Sequence, residues 1–188
     1  YRGFGVSACA TCDGFFFKNK TVAVIGGGNT AAEESLFLSN LCKKVLLIHR
    51  REKLRAEKIL QKRLFEKKNI ELIWNSTVEK ILGDSEEKSI DSLLIFNKHE
   101  KKEKKIQVDG CFVAIGHSPT TSIFESKLEM DNEGYILTKA DSTKTSVEGV
   151  FAAGDVTDRI FRQAVTAAGM GCMSALEAES FLNLKKVI

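Results

Sequence analysis

The chain has 188 residues, 43% of them hydrophobic and 28% charged, proportions of an ordinary globular protein that exclude a disordered or fibrous class. No apolar run approaches the ~20 residues of a bilayer-spanning helix, and a net charge of +3 is too small to imply a nucleic-acid partner. Position 1 is Tyr and no charged-then-apolar leader follows it. The sequence therefore reads as an excerpt or a processed chain, with a cytoplasmic site expected.

Five cysteines are present, and only Cys9 and Cys12 lie close together. Small secreted domains use more cysteines in a shorter chain, and a zinc ribbon needs a second close pair, so no metal is expected. What remains is one working dithiol. In Cys9-Ala10-Thr11-Cys12-Asp13, two thiols three positions apart can close a small disulfide ring, and lowering the pKa of one makes it a nucleophile or a good leaving group. Asp13 puts a carboxyl group beside them that can exchange a proton with a departing thiolate. Cys42, Cys111 and Cys172 sit among apolar or small residues and read as buried small hydrophobes.

Residues 21–25 (TVAVI) form a short β-branched run ending at Gly26-Gly27-Gly28, the pattern of a buried strand entering a tight turn. A helix is predicted over 30–40, with Thr30 and Glu33 at capping-box spacing, then a second buried strand over 45–48 (VLLI). Strand, glycine turn, helix and strand make a βαβ unit and predict a parallel sheet. Gly26-x-Gly28-x-x-Ala31 matches the dinucleotide fingerprint: a turn, a close approach for a pyrophosphate, and a small residue where helix meets strand. Gly27, Asn29 and Thr30 complete the candidate phosphate cradle at the helix N-terminus.

At the end of the second strand an acid would serve the free ribose hydroxyl of NAD. His49-Arg50-Arg51 stands there instead, with Arg50 lying 22 residues after Gly28, and Arg55 joins the same cluster. Guanidiniums bind a phosphate bidentately and offer no acceptor to a hydroxyl, so NADPH is expected over NADH.

A basic helix is predicted over 54–67 and a strand over 70–74, with Trp74 in the core. Residues 78–97 and 106–115 are predicted as strands of a β-meander joined by a solvated loop over 98–105. The only proline, Pro119, follows an apolar strand that ends at Ile115-Gly116, and marks a crossing between two domains, 1–116 and 117–188. Beyond it come a loop-rich stretch, a short strand over 149–153, Gly154-Asp155, and a helix from about Arg162 to Leu182.

These residues resemble the low-molecular-weight thioredoxin reductase type of pyridine nucleotide–disulfide oxidoreductase. The resemblance runs from Gly5 to about Leu182. It is carried by GVSACATCDGFF from Gly5, AVIGGGNTA from Ala23, His49-Arg50-Arg51 with Arg55, FVAIGHSP from Phe112, GVFAAGDV from Gly149, and Arg162-Gln163-Ala164. It implies an α/β protein in which a Rossmann-like NADPH-binding domain, 1–116, carries the dithiol and 117–188 is the C-terminal portion of an FAD-binding domain. It further implies electron flow from NADPH through FAD to a Cys9–Cys12 disulfide and on to oxidised thioredoxin. Cys12 would face the flavin, Cys9 would attack the thioredoxin disulfide, and Asp13 would be the acid. Gly154 and Asp155 would hold the flavin's ribityl chain; Gln163 and Ala164, with Arg162, would bring a helix N-terminus to its ring system. Ile115 and Gly116 count among the cofactor-binding residues, Phe15 and Phe16 among those docking thioredoxin, and the full-length protein would be a homodimer.

The resemblance is incomplete at one end: a second glycine fingerprint, which holds the adenosine of FAD in such proteins, does not precede Tyr1. The expectation is a chain that binds NADPH and forms the disulfide but retains FAD poorly. The flavoprotein partner of a peroxiredoxin and a truncated NADPH-binding module without turnover are the alternatives. The basic residue common between two glycines ahead of the dithiol is replaced here by Phe4.

Overall fold

The computed structural model describes residues 1–84, 86 and 88–186. The polypeptide divides into two compact units, Tyr1–Gly116 and His117–Ile188. In the first, five strands form a parallel sheet in the order β1-β8-β2-β3-β4: β1 (Val6–Ser7), β8 (Gly110–Ala114), β2 (Thr21–Gly26), β3 (Lys44–Ile48) and β4 (Ile70–Ile73). The helices α1 (Ala10–Asp13), α2 (Asn29–Ser39) and α3 (Lys58–Glu66) belong to the same unit. The predicted βαβ is β2-α2-β3, with Val22 paired to Val45 and Val24 to Leu47.

Alternation along these strands feeds two cores. Val22, Val24, Val45, Leu47 and Phe112 point to one face and pack with Ala31, Ala32 and Leu38 of α2 and Leu60 and Leu64 of α3. Ala23, Leu46, Ile48 and Cys111 point to the other and meet Ile90, Leu93, Ile95 and Ile106. Those residues come from a three-stranded antiparallel sheet, β5 (Ser76–Asp84), β6 (Ser89–Asn97) and β7 (Lys102–Gln107). A parallel sheet with both faces covered reads as continuous apolar runs, as 21–25 and 45–48 do.

Several sequence boundaries shift. The span 78–97 is two strands, with Ser85 and Glu87 of that span outside the described residues. The final apolar strand joins the parallel sheet instead of the meander. Half of the solvated 98–105 run is strand: β7 exposes Lys102 to Lys105 and buries only Ile106, an edge strand blunted by lysine. The 54–67 helix begins only at Lys58, because the backbone N–H groups of Arg55 and Ala56 donate to the carbonyl of Gly27 at 2.7 and 3.1 Å. The Thr30–Glu33 capping box does not form: Gly28 is the N-cap, without a side-chain hydrogen bond.

The second unit is mostly irregular chain with one long helix, α4 (Ala164–Lys186). The strand predicted over 149–153 is a single bridge between Lys144 and Phe151. Among the described residues no helix is long and apolar enough to cross a membrane.

Candidate functional site

The dithiol sits on the edge of the parallel sheet. β1 is the edge strand beside β8, Val6 opposite Cys111 and Ser7 opposite Phe112, and the chain then turns into the four-residue helix α1, which Cys9 caps in an extended conformation. Cys9 and Cys12 are joined in a disulfide with their Cα atoms 5.3 Å apart. Cys9 is half-buried and Cys12 exposed. The floor beneath them is α2: a Cβ added at Gly14 would lie 2.9 Å from Leu38 Cδ2, so a larger residue there would force that side chain to shift. Glu34 of α2 accepts a hydrogen bond from the Ala10 N–H at 3.3 Å. Burial pushes the Glu34 carboxyl above its ordinary pKa, the Ala10 hydrogen bond opposing the shift.

The Asp13 carboxylate is held from behind. Ser7 Oγ donates to Asp13 Oδ2 at 2.6 Å, and the N–H of Cys9 donates to the same Ser7 oxygen at 3.0 Å. Nothing in the sequence pattern singled out Ser7, because its partner lies six residues on, across a turn. Phe15 and Phe16 are 70% and 72% exposed beside the dithiol, while Phe17 is buried and meets Phe112 edge-on at 5.4 Å.

The glycine turn opens on a cavity of about 630 Å³. A Cβ at Gly26 would lie 2.2 Å from the Ala114 carbonyl and 2.7 Å from Ala31 Cβ, whereas a Cβ at Gly28 would meet nothing within 4 Å. The first glycine is thus required by the fold, and the third leaves open space where a ligand can reach the backbone. Arg50, Arg55 and Ile115 line the cavity, with residues 76–81 as the opposite wall. Arg51 is exposed and lies outside that wall.

His49 lines it too, but its Nδ1 and Nε2 each lie 3.0 Å from a backbone carbonyl, of Gly26 and Lys53. Both ring nitrogens thereby brace the turn, while Arg50, Arg55 and Lys80 bring cationic side chains to the cavity lining. Asn29 likewise turns its side chain to Glu57, giving and receiving a hydrogen bond at 3.1 and 2.9 Å. Thr30 lies in the first turn of α2, and Gly116, at φ +105°, closes the first unit.

In the second unit Gly154 adopts φ +78°, where an added Cβ would lie 3.5 Å from Ala167 Cβ, and Asp155 is exposed in a single 3-10 turn. Asp158, which sequence reading passed over, organises the approach to α4. Its carboxylate accepts from the N–H groups of Ile160, Phe161 and Arg162 at 2.8–2.9 Å. Arg162 (φ +47°) and Gln163 follow, and Ala164 opens the helix. Of the remaining cysteines, Cys42 and Cys111 are buried, with burial pushing their thiols up to about 11 and about 12. The nearby Asp109 charge adds to the rise at Cys42. Cys172 is exposed on α4, against the expectation of a third buried thiol.

A glycine-turn α/β fold that carries a closed C-x-x-C on its own sheet edge defines a class of redox protein, one that can link a dinucleotide to a disulfide. The chain belongs to the pyridine nucleotide-disulphide oxidoreductase family, whose pattern matches residues 1–171. It is similar to the thioredoxin reductases of Rickettsia conorii, 57% identical over 183 residues, and of Escherichia coli O157:H7, 53% identical over 191. In both comparisons the match covers 97% of this chain and 59% of the relative. Among solved structures it resembles the thioredoxin reductase of Streptococcus pyogenes, with a TM-score of 0.88 at 38% identity over 95% of this chain and 57% of that one. The enzyme from Giardia duodenalis gives a TM-score of 0.84 at 42% identity over 95% and 58%. The chain thus spans a little under three fifths of the length of these relatives.

Proposed function

We propose that this chain performs the dithiol and pyridine-nucleotide steps of NADPH-dependent thioredoxin reduction. The observation that carries the proposal is the Cys9–Cys12 disulfide lying in the same compact unit as a glycine-turn cavity with two arginines on its wall. The open space at Gly28 and the N-terminus of α2 fit a pyrophosphate, and Arg50 and Arg55 fit a 2′-phosphate. NADPH and FAD supply hydride and electron transfer when bound. The protein's own part is to close, open and present the disulfide. Cys9 attacks the disulfide of oxidised thioredoxin, Cys12 resolves the mixed disulfide and would exchange electrons with the flavin when it is bound, and Asp13 carries the proton.

In the second unit Gly154, Asp155 and the Arg162-Gln163-Ala164 start of α4 are assigned to FAD. The exposed Asp155 carboxylate suits a hydroxylated chain, and exposed Ile160, Phe161 and Val165 suit an apolar ring or further polypeptide. The same reading makes the working molecule a cytoplasmic homodimer.

The reading is tested by following NADPH-dependent reduction of thioredoxin with and without added FAD, alongside binding of NADPH and NADH to the chain. Flavin-dependent turnover and a preference for NADPH that Arg50→Ala and Arg55→Ala each weaken by about tenfold or more are expected. Tight NADPH binding with no turnover in any flavin condition would reduce the chain to a nucleotide-binding module.

A further inference from the structure

The dithiol is built with one more polar group than its chemistry so far requires. Ser7 is 8% exposed, and a buried hydroxyl must find partners. It has three within reach. The Cys9 N–H donates to its oxygen at 3.0 Å; the hydroxyl faces Asp13 Oδ2 at 2.6 Å and the Cys9 carbonyl at 3.3 Å. A serine has one proton to give, and the shorter contact to a carboxylate takes it. The result is a directed chain, Cys9 N–H to Ser7 Oγ–H to Asp13 Oδ2. It spans the dithiol helix, because Asp13 is the last residue of α1 and Cys9 its cap.

We infer that Ser7 is a positioning residue for proton delivery: it reserves Oδ2 as an acceptor, so that the proton Asp13 transfers is carried on Oδ1. A small cleft of about 140 Å³ borders both Ser7 and Asp13, roomy enough for water. The other carboxyl joined to this helix is Glu34, bound to Ala10 N–H, so the two acids are held by different elements.

The inference rests on the exchange chemistry proposed above. In that exchange the Cys9 thiolate attacks one sulfur of a substrate disulfide and that S–S bond breaks. The departing sulfur takes a proton through Asp13. Cys12 then attacks Cys9, the mixed disulfide breaks, and the second substrate sulfur leaves and is protonated. Two electrons and two protons pass from the dithiol to the substrate, and the Cys9–Cys12 bond reforms.

General-acid help matters in proportion to the basicity of the leaving thiolate. The whole chain, reduced with dithiothreitol and freed of excess reductant, is mixed in a stopped-flow instrument with three oxidants. These are oxidised thioredoxin, glutathione disulfide and the aromatic disulfide dithiobis(nitrobenzoate), whose leaving thiolate is a weak base. Ser7→Ala is expected to slow exchange with glutathione disulfide about tenfold and with the aromatic disulfide less than about twofold. Ser7→Thr, which keeps the hydroxyl, should recover most of the loss. Asp13→Asn should be as slow as the double variant Ser7→Ala/Asp13→Asn. Equal slowing with both small disulfides, no slowing with either, a threonine variant as slow as the alanine one, or multiplying Ser7 and Asp13 effects would each overturn the inference. A wild-type chain that reduces the small disulfides but not thioredoxin would sink the proposed function and leave the role of Ser7 standing.

Discussion

The two compact units satisfy their backbones by different means. In Tyr1–Gly116 the polar backbone disappears into sheet ladders, and alternating strand residues fill a core on each face of the parallel sheet. In His117–Ile188 there is little sheet; helix α4 and backbone turn bonds such as Ile136 N–H to Val156 and Ala152 N–H to Thr143 take part of this role, and carboxylates add to them. Asp131 Oδ1 accepts from the N–H groups of Glu133 and Tyr135, Asp158 from three successive N–H groups, and Glu177 from Ser142 and from both the N–H and hydroxyl of Thr143. The first unit buries an apolar core on each face of its sheet, and the second adds to its helix and turns a few carboxylates that each collect several donors. A single atom therefore matters more in the second, and a single volume more in the first.

Trp74, the only tryptophan, packs against the first unit's core and reports on that unit, whereas circular dichroism sums α4 with α1, α2 and α3; the second unit is read as the helical change that does not follow Trp74. The largest effect is expected from Phe112→Ala. Phe112 is fully buried and meets Phe17, and such a truncation costs about 3–5 kcal/mol. Urea unfolding followed by Trp74 fluorescence should show that loss; a change under about 1 kcal/mol would mean the sheet core does not control this unit. Next, Asp158→Ala should cost about 2 kcal/mol by stranding three donors beside α4. It should move the circular-dichroism transition while leaving the Trp74 transition in place. If Trp74 moves as far, the units do not unfold separately.

The contrast also explains what could be read before any coordinates. The βαβ unit and its glycine turn were legible because their signals are local: a β-branched run, three glycines, a small helix residue, another apolar run. The dithiol was legible because its chemistry is written in five consecutive residues. What escaped depends on partners, near or far along the chain, that no periodic or motif signal announces. Arg55 leaves the expected helix because the Gly27 carbonyl captures its N–H, and His49, on the cavity wall, also braces the turn because Gly26 and Lys53 present carbonyls to it. Ser7, Asp158 and Glu177 have no periodicity at all, and their roles exist only once the turns they hold have formed.

A smaller effect separates the units by pH. The hydrogen bonds from Ser142 and Thr143, helped by the Lys144 charge, hold the Glu177 carboxyl down to about 2, against its ordinary 4.5. A carboxylate with a depressed folded-state pKa stabilises fully above its unfolded value and loses that contribution as pH falls through the folded one. The helical transition of the wild type should therefore weaken between 4.5 and about 2 more steeply than that of Glu177→Gln. Parallel pH profiles would remove Glu177 from the account of the second unit.

The smallest expected effect has the opposite sign and falls in the first unit. Glu34 Oε2 is buried with no hydrogen-bond partner among the described residues, the kind of exception that a well-formed core rarely contains. Because burial raises this carboxyl above 4.5, ionising it in the fold costs stability. The cost is absent below the ordinary value and complete once pH exceeds the raised one. Glu34→Gln keeps a carbonyl oxygen for the Ala10 N–H and removes the charge. It should raise the unfolding free energy followed by Trp74, once pH exceeds the raised value, by less than about 1 kcal/mol, since the group keeps some solvent. Near pH 4 the two proteins should unfold together. A glutamine variant less stable at neutral pH would show that the charge beneath the dithiol helix is a support, and the first unit would then lean on a named oxygen just as the second does.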